Sequence, residues 1–152
     1  MSDLKAPSRA WQWLGIHTVD TGDGTATVVM KTTEKMANHA GFVHGGMIST
    51  LADSAMGRSV RTVKPSVVRA MSFDLKVSFI SAVKIGDTLR ATGRVVHAGR
   101  RTVVTECRIE GSGGKLVATA SGTFAVTREK EDSASTPLNS LSPEGVEDKE
   151  QI

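Results

Sequence analysis

From Gly45 to Arg61 the chain reads GGMISTLADSAMGRSVR, the one long stretch whose apolar residues recur at helical spacing. On a wheel at about 100° per residue, Met47, Ile48, Leu51, Ala52, Ala55 and Met56 form a broad apolar stripe. Pro65 lies just beyond, where a helix must already have ended. The remaining apolar residues lie mostly in short runs, several of which alternate with polar ones. In VVRAMSFDLKVSFI, Met71, Phe73, Leu75, Val77 and Phe79 alternate with Ser72, Asp74, Lys76 and Ser78, which predicts a strand with one apolar face. DTLRATGRVVHAG, TVVTECRIEG and KLVATASGTFAVT read the same way, with turns at Gly99-Arg100 and Gly111–Gly114. Two earlier extended runs, about Ile16–Val19 and Ala26–Thr32, flank the turn Gly22-Asp23-Gly24. One long helix with about six mostly antiparallel strands predicts an α+β domain whose single helix covers one face of the sheet.

The chain has 152 residues, a size that suits one domain. We divide it into an N-terminal segment (1–15), the domain (16–127) and an acidic tail (128–152). The tail is polar, contains two prolines, and lacks the apolar surface needed to offset the entropy of ordering, so a flexible end is expected. Cys107 is the only cysteine, which rules out an internal disulfide and fits a cytoplasmic protein. No apolar run has signal-peptide or membrane-spanning length. Residues 1–127 carry 16 Lys/Arg against 9 Asp/Glu, and residues 128–152 carry 3 against 7. No nucleic-acid motif or basic amphipathic helix accompanies the positive body, so neither nucleic acid nor a membrane is expected as partner. A phosphate-bearing ligand is one reading of that charge, and simple solubility is the other.

The far side of the helix is unusual. Gly46, Ser49, Asp53 and Gly57 fall there, where a solvent face ordinarily carries Lys and Glu. Small residues admit a close approach by a ligand or another backbone, and Asp53 is the lone carboxylate among them. The plainer reading is a solvated Asp. At the start of the helix, His44-Gly45-Gly46 supplies unblocked N–H groups at the positive end of the helix dipole, suited to an oxyanion on a carbonyl oxygen. A glycine turn into a helix is the plainer reading there. Gly45 and Asp53 are eight residues apart, about 12 Å along a helix. Two groups so far apart do not serve one carbonyl carbon, so if both are catalytic, a second copy must bring its Asp53 to this Gly45. The pattern therefore implies a homodimer with shared sites.

The stretch NHAGFVHGGMISTLADSAMG, 38–57, resembles the hotdog-fold thioesterases of the phenylacetate-degradation type, in which an Asn, a His-Gly-Gly and an LxD[ST/N]A-like helix segment follow at this spacing. The resemblance runs through MSFDLKVSFISAVKIGDTLRATGRVVHAG and covers roughly residues 10–127. It implies a single hotdog domain, a sheet wrapped around one helix, and hydrolysis of an acyl-CoA to a carboxylic acid and CoA. It implies Asp53 as general base or nucleophile, the Gly45 N–H as carbonyl donor, Asn38 as holder of water or carbonyl, His44 as a loop-shaping group near the thioester, and Ser72 as a hydroxyl orienting water. It also implies a homodimer, assembled as a dimer of dimers. Coenzyme A enters as part of the substrate; no separate cofactor is expected. Gly46 and the hairpin arginines Arg100 and Arg101 are candidates for substrate binding, with Arg90 and Arg94 on one strand face as further cations.

The other chemistries fit less well. His17, His39, His44 and His97 are scattered, so no metal site is expected. The serines show no nucleophile elbow, and Cys107 alternates with an apolar face, as a core thiol would. A non-catalytic acyl-CoA-binding protein on the same fold stays open as the alternative. A dehydratase would need a His and an acid on a differently patterned segment.

Overall fold

A computed structural model of the protein describes residues 7–67 and 69–127. The elements run α1 (Arg9–Leu14), β1 (His17–Gly22), β2 (Thr25–Lys31), α2 (Gly45–Val63), β3 (Arg69–Phe79), β4 (Thr88–Ala98), β5 (Thr102–Glu110) and β6 (Leu116–Thr127). The six strands form one antiparallel sheet in the order β1-β2-β4-β5-β6-β3, wrapped around α2. This is the α+β architecture expected from one helix and six strands, and the sheet wrapped around one helix that the resemblance to hotdog thioesterases implies. The acidic tail expected at 128–152 lies outside the described residues.

The apolar stripe of α2 carries the core. Ile48, Leu51, Ala52, Ala55, Met56 and Val60 are buried, against Val28, Met30, Leu89, Ala91, Val103 and Ile109 of the sheet. Each large side chain taken from water there contributes roughly 1.5–3 kcal/mol. The helix lies so close to β4 that a Cβ on Gly93 would stand 2.4 Å from the Ala55 carbonyl oxygen, so only glycine fits that crossing. Cys107 is buried in the core, and burial pushes its thiol up to about 12. The expected turns are present: Gly24 takes a positive φ of 74° between β1 and β2, and β4 and β5 form a hairpin at residues 99–101. Among the described residues, no helix is long and apolar enough to cross a membrane.

Residues 9–14, in the N-terminal segment for which no element was expected or excluded, form α1, which Ser8 caps through its hydroxyl and Gly15 ends at φ 68°. Two expectations need correcting. The first strand begins and ends later than Ile16–Val19. Most important, the apolar face of β3 is not covered by the helix: Met71 is 65% exposed, Phe73 64% and Phe79 55%. Six strands about 4.8 Å apart make a sheet roughly 24 Å wide, whereas a helix with its side chains is about 10 Å across. One helix reaches the middle strands and leaves much of the edge strand β3 open.

Candidate functional site

The loop before α2 is held by its own backbone. Asn38 donates its N–H to the Phe42 carbonyl at 2.7 Å, and its Oδ1 accepts from the Ala40 and Phe42 N–H groups at 2.9 and 3.1 Å. Gly41 makes the turn at φ 79°. The His44 N–H reaches the Met36 carbonyl at 2.7 Å, and Val43 is tied to Val83 at 2.9 Å, which fixes the entry of the chain into the helix.

His44 is the N-cap of α2: its Nδ1 accepts the Gly46 N–H at 2.9 Å. That bond uses the Gly46 donor, so Gly46 is a capped backbone position rather than a free donor for substrate. The Gly45 N–H has no partner among the described residues, and it stands at the positive end of a 19-residue helix. A Cβ on Gly45 would lie 3.1 Å from the Phe79 ring, so the ring packs directly against this glycine. Asn38, Gly45, Ile48 and Phe79 together line a small cavity of about 260 Å³. With Oδ1 engaged in the loop, the Nδ2 amide of Asn38 is the group left to donate there.

Asp53 opens into a different and larger cavity, about 820 Å³, shared with Ser72 and closed on one side by Ser8 and Trp11 of the N-terminal helix region. The carboxylate is half-buried, and Oδ1 is fully buried with no hydrogen-bond partner among the described residues. Leaving such an acceptor unpaired costs about 1–3 kcal/mol, and a cost of that kind at a native position calls for an explanation.

The expected site residues thus fall into two groups on one chain. Asn38, His44 and Gly45 gather at the start of α2. Asp53 and Ser72 gather about 12 Å further along it. Arg100 and Arg101 are exposed at the β4–β5 turn and line neither cavity, and Arg94 is engaged in an ion pair with Glu106 on the adjacent strand. The basic side chains that do line the Asp53 cavity are Arg58 and Arg61 of α2 itself and His17 of β1. Reading the wheel onward past Gly57 exposes the signal for one of them: Arg61 lies eight residues beyond Asp53, about 80° around the helix and so on its side.

Against this geometry, the chain matches the family model described as the thioesterase superfamily over residues 40–118. It is 32% identical over 105 residues to the acyl-coenzyme A thioesterase PaaI of Escherichia coli, covering 69% of this chain and 73% of that protein. The solved structure of the conserved protein PA5202 from Pseudomonas aeruginosa superposes with a TM-score of 0.76 at 32% identity, covering 84% of this chain and all of that one. That of smu.793 from Streptococcus mutans, bound to acetyl CoA, superposes with a TM-score of 0.70 at 27% identity, covering 84% and 96%. The helix with its capped glycine entry, the sheet wrapped around it and the matches across both place this chain in the thioesterase superfamily, as a PaaI-like member with the hotdog fold.

Proposed function

We propose that the protein hydrolyses an acyl-CoA thioester at a site built from two copies of the chain. The observation that carries this reading is the separation, on one helix, of an unpartnered donor at Gly45 from an unpartnered buried acceptor at Asp53. A two-fold axis between antiparallel copies of α2 sets Gly45 of one copy beside Asp53 of the second, and produces two equal sites. The open edge strand β3 supports such a pairing. Its free backbone edge and the exposed Met71, Phe73, Leu75 and Phe79 are the kind of surface that a second copy would cover. The homologous PaaI, a named acyl-CoA thioesterase, and the acetyl-CoA-bound neighbour support the choice of substrate.

In this reading the thioester oxygen accepts the Gly45 N–H, and the helix dipole stabilises the charge that develops on it. The Nδ2 amide of Asn38 and the Ser72 hydroxyl orient water from opposite sides. Asp53 either takes the water's proton as the C–O bond forms or attacks the carbonyl carbon itself and is released by water. The C–S bond breaks, the electron pair leaves with sulfur, and the proton returns to the CoA thiolate. A thioester is activated enough that one carboxylate and these donors suffice. His44 acts by holding the helix entry, which sets the direction of the Gly45 N–H.

The test is thiol release from a panel of acyl-CoAs by the purified full chain, with Asp53→Asn as the control. Turnover that requires Asp53 supports the reading. Binding of acyl-CoA with no release of thiol would instead favour a non-catalytic acyl-CoA-binding protein.

A further inference from the structure

The Asp53 cavity has a mixed lining, with hydroxyls of Ser8, Thr18, Ser54 and Ser72 among its apolar residues and cations at one part of its wall. Trp11, Ile16, Ala70 and Phe124 contribute the apolar surface, while Arg58 and Arg61 contribute two guanidinium groups. Both arginines are half-buried, and neither forms an ion pair among the described residues. Among the described residues, the one hydrogen bond that either guanidinium makes is Arg61 Nη1 donating to the Val67 carbonyl at 3.4 Å. Asp53 lines the same cavity without pairing to them. Two cations three residues apart on one helix repel each other, and Arg is seldom withdrawn from water without an anion beside it. No carboxylate among the described residues pairs with either guanidinium, and an anion entering from solution would.

We propose that this cavity takes an acyl group that ends in a carboxylate, so that the substrate is the CoA monothioester of a dicarboxylic acid. This deepens the thioesterase reading and rests on it. Arg58 and Arg61 lie five and eight residues beyond Asp53, about 7.5 and 12 Å along the helix, on the side away from Gly45. At about 1.2 Å per bond of an extended chain, an acyl group of roughly five to eight carbons spans from the thioester to the arginines. The phosphates of CoA are a less suitable source for the anion. The pantetheine arm between sulfur and diphosphate is uncharged and about as long as four extended residues, roughly 14 Å, which is longer than the distance along the helix from Asp53 to either arginine. An Arg–carboxylate pair is often bidentate, which fixes the far end of the acyl chain and so the position of the carbonyl. Hydrolysis then gives a free dicarboxylate and CoA, with water supplying the oxygen that replaces sulfur and the proton that ends on the thiol.

The experiment compares adipyl-CoA with hexanoyl-CoA, which match in length and differ in the terminal charge. For the wild-type chain, kcat/KM should favour adipyl-CoA by about 10-fold to 100-fold, the range expected for a charged hydrogen-bonded pair. The ratio should collapse toward one in an Arg58→Gln/Arg61→Gln double variant, and an Arg58→Lys variant should retain part of it. Thermal melts confirm that each variant is folded. Calorimetry on Asp53→Asn supplies a second readout free of turnover, in which adipyl-CoA should bind more tightly than hexanoyl-CoA. Equal or better use of hexanoyl-CoA by the wild type overturns the proposal and leaves the thioesterase reading standing. If the arginine variants weaken binding of CoA alone as much as that of adipyl-CoA, the arginines serve the phosphates and the proposal fails. Thiol release that does not depend on Asp53 overturns the thioesterase reading itself.

Discussion

The Nδ1 atom of His44 accepts the Gly46 N–H at 2.9 Å, so the histidine in His-Gly-Gly closes the first turn of the helix it introduces. A cap of this kind contributes about 1 kcal/mol. His44→Ala should therefore lower the melting temperature by a few degrees, roughly 2–6 °C for a domain of this size. His44→Asn, whose side chain also caps helices, should restore most of that loss. Circular dichroism melts read the cap, and kcat reads the site. If the histidine serves only by aligning Gly45, the Asn variant regains activity along with stability. Restored melting with activity still lost would show that the ring itself meets the substrate. An unchanged melting temperature in His44→Ala would remove the capping role.

Asp53 gives the opposite expectation for stability. Its Oδ1 is buried without a partner among the described residues, so the folded chain bears the cost of that group. Asp53→Ala should melt at or above the wild-type temperature while losing about 10²-fold or more in kcat. Turnover close to wild type in the folded variant would sink the assignment. A large drop in melting temperature would show that the carboxylate is a structural group after all.

The sequence carried some of these features plainly and others not at all. The long helix was legible because its apolar stripe is continuous over three turns, and β4 and β5 were legible because buried and exposed residues alternate along them. Alternation along β3 showed that its two faces differ. It did not show that the apolar one, with Met71 and Phe73, would stay largely exposed, because that depends on how far one helix reaches across a wide sheet. The helix α1 is only six residues long, too short for a periodic pattern to declare itself. His-Gly-Gly offered two candidate donors. Which of them is spent on the cap depends on the rotamer of His44, and no motif encodes that. Arg100 and Arg101 drew notice as adjacent cations on a turn, but that turn lines neither cavity, and the cavity cations come from α2.

The outward face of β3 makes a prediction about assembly. Phe73 is 64% exposed on an edge strand. Replacing it with a charged side chain, Phe73→Lys, should cost the isolated domain little, because substitutions at exposed positions usually change stability by less than about 0.5 kcal/mol. If a second copy covers this strand, the same change should break the pair. Light scattering would then report a monomer, and activity would fall with the pair although Phe73 lines neither cavity. A fully active Phe73→Lys dimer would mean that the copies meet elsewhere.

The shared site itself can be tested by complementation. Gly45 and Asp53 stand about 12 Å apart on one helix, and they line separate cavities. Two variants disable one end each. Asp53→Ala removes the acid. Gly45→Val places a branched side chain where even a Cβ would stand 3.1 Å from the Phe79 ring, which obstructs the approach to the N–H donor. Each homodimer should be inactive. When subunits exchange, a mixed dimer holds one site with both defects and one site with neither. Random mixing gives about half mixed dimers, each with one working site of two, so activity should return to roughly a quarter of the wild-type value. Native mass spectrometry verifies the exchange, and thermal melts verify that the Gly45→Val chain is folded. Should that chain fail to fold, Asn38→Ala is the substitute, because Asn38 lines the Gly45 cavity. Confirmed exchange with no return of activity would mean that Asp53 works within its own subunit, and the two-copy site would have to be abandoned.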